Sequence, residues 1–242
     1  MLRRAASAAM SSWFKGVKEM KTLPLSPKQI RFAGICYLII ILCGVGSELA
    51  LRGPLIDFGS ATDTAQAILA ETVRFRLSIK ADVAMALADV ALAIMLFWLF
   101  RPVSSGLAMA AMIFRLLQAG LIASGLMNLQ VAVLLLETTD LEDGANLALT
   151  FIEMHAYGYD LGLIFFGINC LLTAALMVRS GFVPRVLGIG IGLSGLVYLS
   201  GSILRIAAPD LHGIVVPAYV VPLVAETAFC LWLLFTSISR PR

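Results

Sequence analysis

Asp82, Asp89, Arg115, Glu153, His155, Asp160 and Glu226 interrupt long runs of Leu, Ile, Val and Ala. An ionisable side chain within hydrocarbon costs free energy. It therefore faces protein or water, and it marks places where protons, ions or ligands are handled. The densest run is Glu153-Met-His155-Ala-Tyr157-Gly-Tyr159-Asp160. With 3.6 residues per turn, this run divides between two helix faces. Glu153, Tyr157 and Asp160 share one face and are expected to line a cavity. His155 and Tyr159 share the other with Gly158 and Gly162, a small-xxx-small pattern that lets helices approach closely. An interhelical hydrogen bond is the expected role of His155.

Metal chemistry is not expected. Glu153 and His155 diverge, there is no HExxH, and the only other histidine is His212. A bis-histidine haem between His155 and the connection carrying His212 is geometrically conceivable but disfavoured, and no cofactor is expected. A Ser–His–Asp hydrolase would need a nucleophile elbow that the sequence lacks. Gly190-Ile-Gly192-Leu-Ser-Gly195 matches GxGxxG, but it sits within an apolar run. A dinucleotide fingerprint needs a strand–turn–helix setting. With Gly188 it reads as a helix-packing face.

These residues need long helices to hold them. The chain has 242 residues, 60% hydrophobic and 14% charged, against about 25% charged in soluble domains. The expected fold is all-α: a polytopic transmembrane bundle of six helices. The spans run roughly over Phe32–Leu51, Leu77–Phe100, Ser104–Leu136, Asn146–Val178, Pro184–Ile206 and Val215–Ser237. The third and fourth are long enough to tilt or to project from the bilayer. Between the first two spans, Ser60 to Glu71 reads as a surface helix.

Lys and Arg bias sets orientation. Placing both termini in the cytoplasm puts the basic N-terminal tail, Arg101, Arg179, Arg185, Arg240 and Arg242 on that side. Arg52, Arg74, Arg76, Lys80 and Arg205 then lie outside, with the acidic loop Glu137–Asp143. Residues 1–30 form a basic amphipathic extension, 31–238 the transmembrane domain and 239–242 a basic tail. The extension lacks a signal-peptide run. It reads as an interfacial helix, with a mitochondrial presequence as the alternative, and translation could equally start at Met20. A bacterial inner membrane is the expected location, with the mitochondrial inner membrane as the alternative. The net charge of +3 sits mostly at span ends, so nucleic acid is not an expected partner. Cys36, Cys43, Cys170 and Cys230 lie in apolar runs without CxxC spacing and behave as small hydrophobes.

Position along a helix converts to depth at about 1.5 Å per residue. Asp89, Arg115 and Glu226 each lie about 16 Å from the cytoplasmic end, near the midplane. Glu48, Asp82 and Asp160 form a layer about 24–27 Å deep by the same rise. Asp82 and Asp89 share one face, as do Arg115 and Gln118. An Asp89–Arg115 pair is expected, with Glu226 competing for the arginine, and Glu48 is expected to pair with Arg52 one turn on. Acids outnumber bases, so a proton or a cation completes the balance. Pro217 and Pro222 free backbone carbonyls in the sixth span, a device found beside cavities. Tyr219 is expected to face inward with Glu226.

The run from Ile35 to Gly44, followed by Glu48 and Arg52, resembles the start of the bacterial membrane family catalogued as domain-of-unknown-function family 4386. So do Phe100-Arg-Pro-Val103, Phe114-Arg-Leu-Leu-Gln118 and, most closely, the stretch from His155 to Gly167 with Arg179-Ser-Gly-Phe-Val-Pro-Arg185. The resemblance covers about residues 28–238. It implies a six-span membrane protein and carries no settled activity. Asn169 stands where relatives are expected to hold a histidine.

Three functions fit. The first is a buried polar cavity binding a small or lipophilic ligand, with possible proton coupling. Its candidate residues are Asp82, Asp89, Arg115, Gln118, Tyr157, Asp160, Tyr219 and Glu226, with Glu48, Glu153, His155 and Asn169 secondary. The second is an accessory subunit docking to a larger membrane complex through its glycine faces. The third is an intramembrane enzyme acting on a lipid or quinone through His155 and Asp160. Besides the lipid bilayer, the partners these imply are a lipophilic small molecule or membrane-complex subunits.

Overall fold

A computed structural model describes residues 24–236. The expectations for residues 1–23 and 237–242 concern the basic extension, the tail and the start codon, and they lie outside the described residues. Every element among the described residues is helical. Six helical stretches are long and apolar enough to cross a membrane: Pro27–Leu55, Thr72–Phe100, Ser105–Thr138, Asp143–Ser180, Arg185–Ala207 and Pro209–Phe235. They are the first to sixth spans below. Six crossings return residue 236 to the side on which residue 24 begins. Lys28, Arg31, Arg101, Arg179 and Arg185 belong to that side, the end that the basic bias assigns to the cytoplasm.

Local chemistry extends several spans beyond their apolar runs. The first begins at Pro27 because Ser26 and Gln29 form a reciprocal cap: the Gln29 amide donates to Ser26 Oγ at 3.4 Å, and the Ser26 amide donates to Gln29 Oε1 at 2.9 Å. Ser104 caps the third span. The fourth helix starts at Leu141, so the acidic stretch expected to be a loop is largely helical. Acidic side chains in a first turn suit the positive end of the helix dipole. Gly181, at φ 73°, closes the fourth helix in the left-handed conformation that only glycine adopts without strain.

Two spans depart from regular α-helix. Gly46–Arg52 is π-helical and runs into a 3₁₀ turn, Gly53–Leu55. The sixth span starts at Pro209 rather than Val215 and breaks into a 3₁₀ stretch, Val216–Tyr219, before Val220–Phe235 resumes. Pro217 lies within that break, as its missing N–H requires.

The helices bury two apolar clusters. One lies toward the termini and includes Ile30, Leu92, Phe100, Met177, Phe229 and Leu233. The other lies at the opposite end. There the surface helix Ala61–Ala70, capped by Ser60, covers the second, third and fourth spans through Ala65, Ile68, Phe75, Leu129, Leu136 and Ile152. The fourth and fifth spans cross closely along the glycine face. A Cβ on Gly195 would lie 2.8 Å from the Gly167 carbonyl oxygen, and one on Gly192 3.3 Å from Ala174 Cβ. Gly162 packs against Ile122 in the same way, but Gly158 faces open space. The small-xxx-small reading therefore holds at one of its two positions.

Candidate functional site

Every span contributes to a polar cluster at mid-depth. Arg115 of the third span donates from Nε to Asp89 Oδ1 of the second at 2.6 Å. Its Nη2 lies equally near the same oxygen, completing a buried ion pair. The guanidinium sits between the rings of Tyr37 and Phe166, 5.5 and 5.0 Å from their centroids. Cations favour such faces when desolvated. Gln118, one turn on from Arg115, is buried, and its Oε1 is an acceptor without a partner.

Glu226 of the sixth span does not compete for Arg115. It accepts from Tyr37 Oη of the first span at 3.1 Å and from Tyr198 Oη of the fifth at 2.6 Å. Tyr198 packs on Phe166 and Tyr219, at 5.2 and 5.9 Å. Tyr37 thus touches both halves of the cluster, with its ring on Arg115 and its hydroxyl on Glu226. The midplane trio is one unit, but two phenols join it, and the carboxylates do not share the arginine.

The outer acidic layer separates into two arginine-centred sites. Arg52, brought inward by the π-helical turn, donates to Asp82 Oδ2 and Glu48 Oε2, both at 2.7 Å. Ser47 also binds Asp82. Arg52 and Asp82 are buried, whereas the Glu48 side chain is 60% exposed. The expected Glu48–Arg52 pair forms, and Asp82 is the stronger partner because it shares the arginine's burial. At the second site Arg205 Nε forms an ion pair with Asp160 Oδ2 at 2.9 Å, and Ser202 Oγ donates to Asp160 Oδ1 at 3.1 Å.

Other candidates take structural places. His155 Nδ1 lies 3.2 Å from the Gly125 carbonyl oxygen, tying the fourth span to the third. His212 makes the same contact with the Gly201 carbonyl at 3.1 Å. His155 and Asp160 thus have separate partners, and the structure forms no dyad from them. Asn169 Nδ2 donates to the Ala111 carbonyl at 2.7 Å. Tyr157 corrects the inward reading of its face. It is 47% exposed, with Arg205 5.7 Å from its ring centroid. The faces of a helix in a bundle are set by where its neighbours lie, and Tyr157 falls on the lipid side. Glu153 is half-buried, as is Tyr219, whose ring lies against Gly201.

Sequence reading missed Tyr37, Tyr198, Phe166, Ser47 and Ser202. The depth arithmetic used for the charges would have found Tyr37, ten residues and about 15 Å into its helix. It was applied only to ionisable groups that cost most in hydrocarbon. No comparable signal marks Phe166.

The cluster is closely packed. Below Arg115, toward the termini, lies a void of ≈ 10 Å³ lined also by Asn169, Thr173 and Met112. That is about the room of one water molecule.

Comparison with known proteins identifies a family. The model of a family described as Domain of unknown function (DUF4386) matches residues 32–236, and the chain belongs to that family. An uncharacterised protein of Archaeoglobus fulgidus is 28% identical over 145 residues, covering 60% of this chain and 74% of the relative. No solved structure matches.

Proposed function

We propose that this DUF4386-family membrane protein binds a small or lipophilic ligand at the polar cluster formed by Tyr37, Asp89, Arg115, Gln118, Tyr198 and Glu226, with binding coupled to a proton or cation. The observation that carries the reading is Gln118 Oε1, a buried acceptor without a partner one turn from the buried Asp89–Arg115 pair. An unmet buried group costs about 1–3 kcal/mol. A ligand with a hydroxyl donor, such as a carboxylic acid or an alcohol, would meet it. The cluster holds two carboxyl groups and one guanidinium, which supports coupling to a proton or cation.

Access requires movement, because the void beside Arg115 admits only a water. The interrupted sixth span supplies a place for it. Broken helices in membrane proteins are tolerated where they border a cavity, and in transporters they often form the binding site. Glu226 lies seven residues beyond the 3₁₀ break, on the moving side of such a hinge. The same proposal places the protein in a bacterial cytoplasmic membrane, with the basic bias supporting cytoplasmic termini. The Gly188–Gly195 face is packed against the fourth span, so that face is closed to another subunit.

The test is a thermal-stability screen of the purified protein in nanodiscs, with medium-chain fatty acids and long-chain alcohols, at mildly acidic and mildly alkaline pH. At least one class should raise the wild-type melting temperature. Gln118→Leu, which leaves the Asp89–Arg115 pair intact, should reduce that rise, and Glu226→Gln should remove its pH dependence. Responses of both variants equal to wild type would defeat the reading.

A further inference from the structure

A second site lies on the membrane-facing surface, apart from the central cluster and independent of the function proposed for it. Between the second and third spans runs an apolar groove of ≈ 680 Å³. Its floor is made by Ala86 and Ala119, both buried. Gly120 and Ala123 keep one wall low, and Leu87 and Met127, 68% and 70% exposed, form the rims.

The groove has the length of one leaflet. On the second span its lining runs from Ile79 to Val90 and on the third from Leu116 to Val131, rises of about 16 and 22 Å, against roughly 20–22 Å for one leaflet with its headgroups. Half of a hydrocarbon core of roughly 30 Å is about 15 Å. It ends near the midplane, at the level of Asp89. A partner helix would cross the whole core, whereas an acyl chain of one leaflet stops where this groove stops.

Charge marks the outer end. Lys80 precedes the lining residues Val83 and Leu87 by three and seven positions, so it shares their helix face. It lies twenty residues before Phe100, a rise of about 30 Å, at the outer edge of the hydrocarbon. Lys80 is exposed and, among the described residues, pairs with no carboxylate. Arg76 nearby is engaged, donating to Glu137 Oε1 and Oε2 at 2.8 and 2.7 Å across the head of the same two spans. Gln130, on the third span, adds an amide to the groove lining at this end.

We propose that this groove binds one anionic glycerophospholipid of the leaflet opposite the termini, with an acyl chain along Ala86, Ala119, Gly120 and Ala123 and the phosphate on Lys80. The chain supplies apolar contact, and the lysine selects the headgroup.

Native mass spectrometry of the full chain, released from micelles containing equal phosphatidylglycerol and phosphatidylcholine with identical chains, tests this. Wild type should retain phosphatidylglycerol over phosphatidylcholine by about fivefold, the factor one basic side chain near an anionic surface supplies. Lys80→Gln should abolish that preference. Gly120→Leu should lose both lipids, and it should fold normally because a Cβ there meets nothing within 4 Å and the rest of the side chain extends into the groove. Equal retention of the two lipids by wild type would overturn the proposal. So would unaltered retention by Gly120→Leu, or a dimer of the wild-type chain that Gly120→Leu dissolves, which would assign the groove to a second copy.

Discussion

The Tyr198 hydroxyl donates to Glu226 Oε1 at 2.6 Å, joining the fifth span to the sixth beyond the break at Val216–Tyr219. With Tyr37 on the other oxygen, it fixes the interrupted sixth span against the first and fifth. Whatever moves the sixth span must release these phenols.

Tyr198→Phe therefore leaves Glu226 with one donor. Hydrogen bonds to charged groups contribute about 1.5–3 kcal/mol, so a loss of stability in that range is expected. In Glu226→Gln the same tyrosine substitution should cost less, because the two residues form one network. A double-mutant cycle from unfolding in detergent reads the coupling, and strict additivity would contradict the contact.

Asp89 and Arg115 are both nearly inaccessible. Breaking such a pair by removing one partner costs about 3–5 kcal/mol, whereas exchanging both for apolar residues of similar volume is often neutral. Asp89→Asn should lower the unfolding midpoint sharply. Asp89→Leu with Arg115→Met should restore most of it while abolishing the ligand response. A double variant as unstable as the single one would show that the pair holds the fold by more than charge.

Arg52 divides its two nitrogens between unequal partners. Asp82→Asn leaves a buried guanidinium undercompensated and should cost several times more stability than Glu48→Gln. The exposed Glu48 pair is expected to fall in the surface range of about 0–1 kcal/mol. Chemical denaturation of the two variants under one condition checks the order, and equal losses would refute it.

Gly195 and Gly158 make a contrast in packing. Gly195→Ala would push a methyl group to 2.8 Å from the Gly167 carbonyl, forcing the fourth and fifth spans apart. Gly158→Ala meets nothing within 4 Å and gains helix propensity of about 1 kcal/mol. Melting temperature should fall for the first and hold or rise for the second. The reverse order would refute the assigned helix crossing.

The sequence by itself determined the six apolar spans and the order of the charges along them. Apolar run length and helical rise are local properties that need no partner. It also marked Asp89 with Arg115 and Glu48 with Arg52, since depth and an i,i+4 spacing leave few alternatives. The tertiary structure decided the rest. It gave Glu226 to two tyrosines and Asp82 to Arg52, turned Tyr157 outward and placed Asp160 on Arg205. Each of these depends on the rotation of a helix about its own axis. That rotation is set by how glycine faces, a π-helical turn and a proline break pack together, and hydropathy is nearly blind to it. In a soluble helix an apolar stripe reveals the inner face. In a bilayer both faces are apolar, so only contact between helices separates protein from lipid.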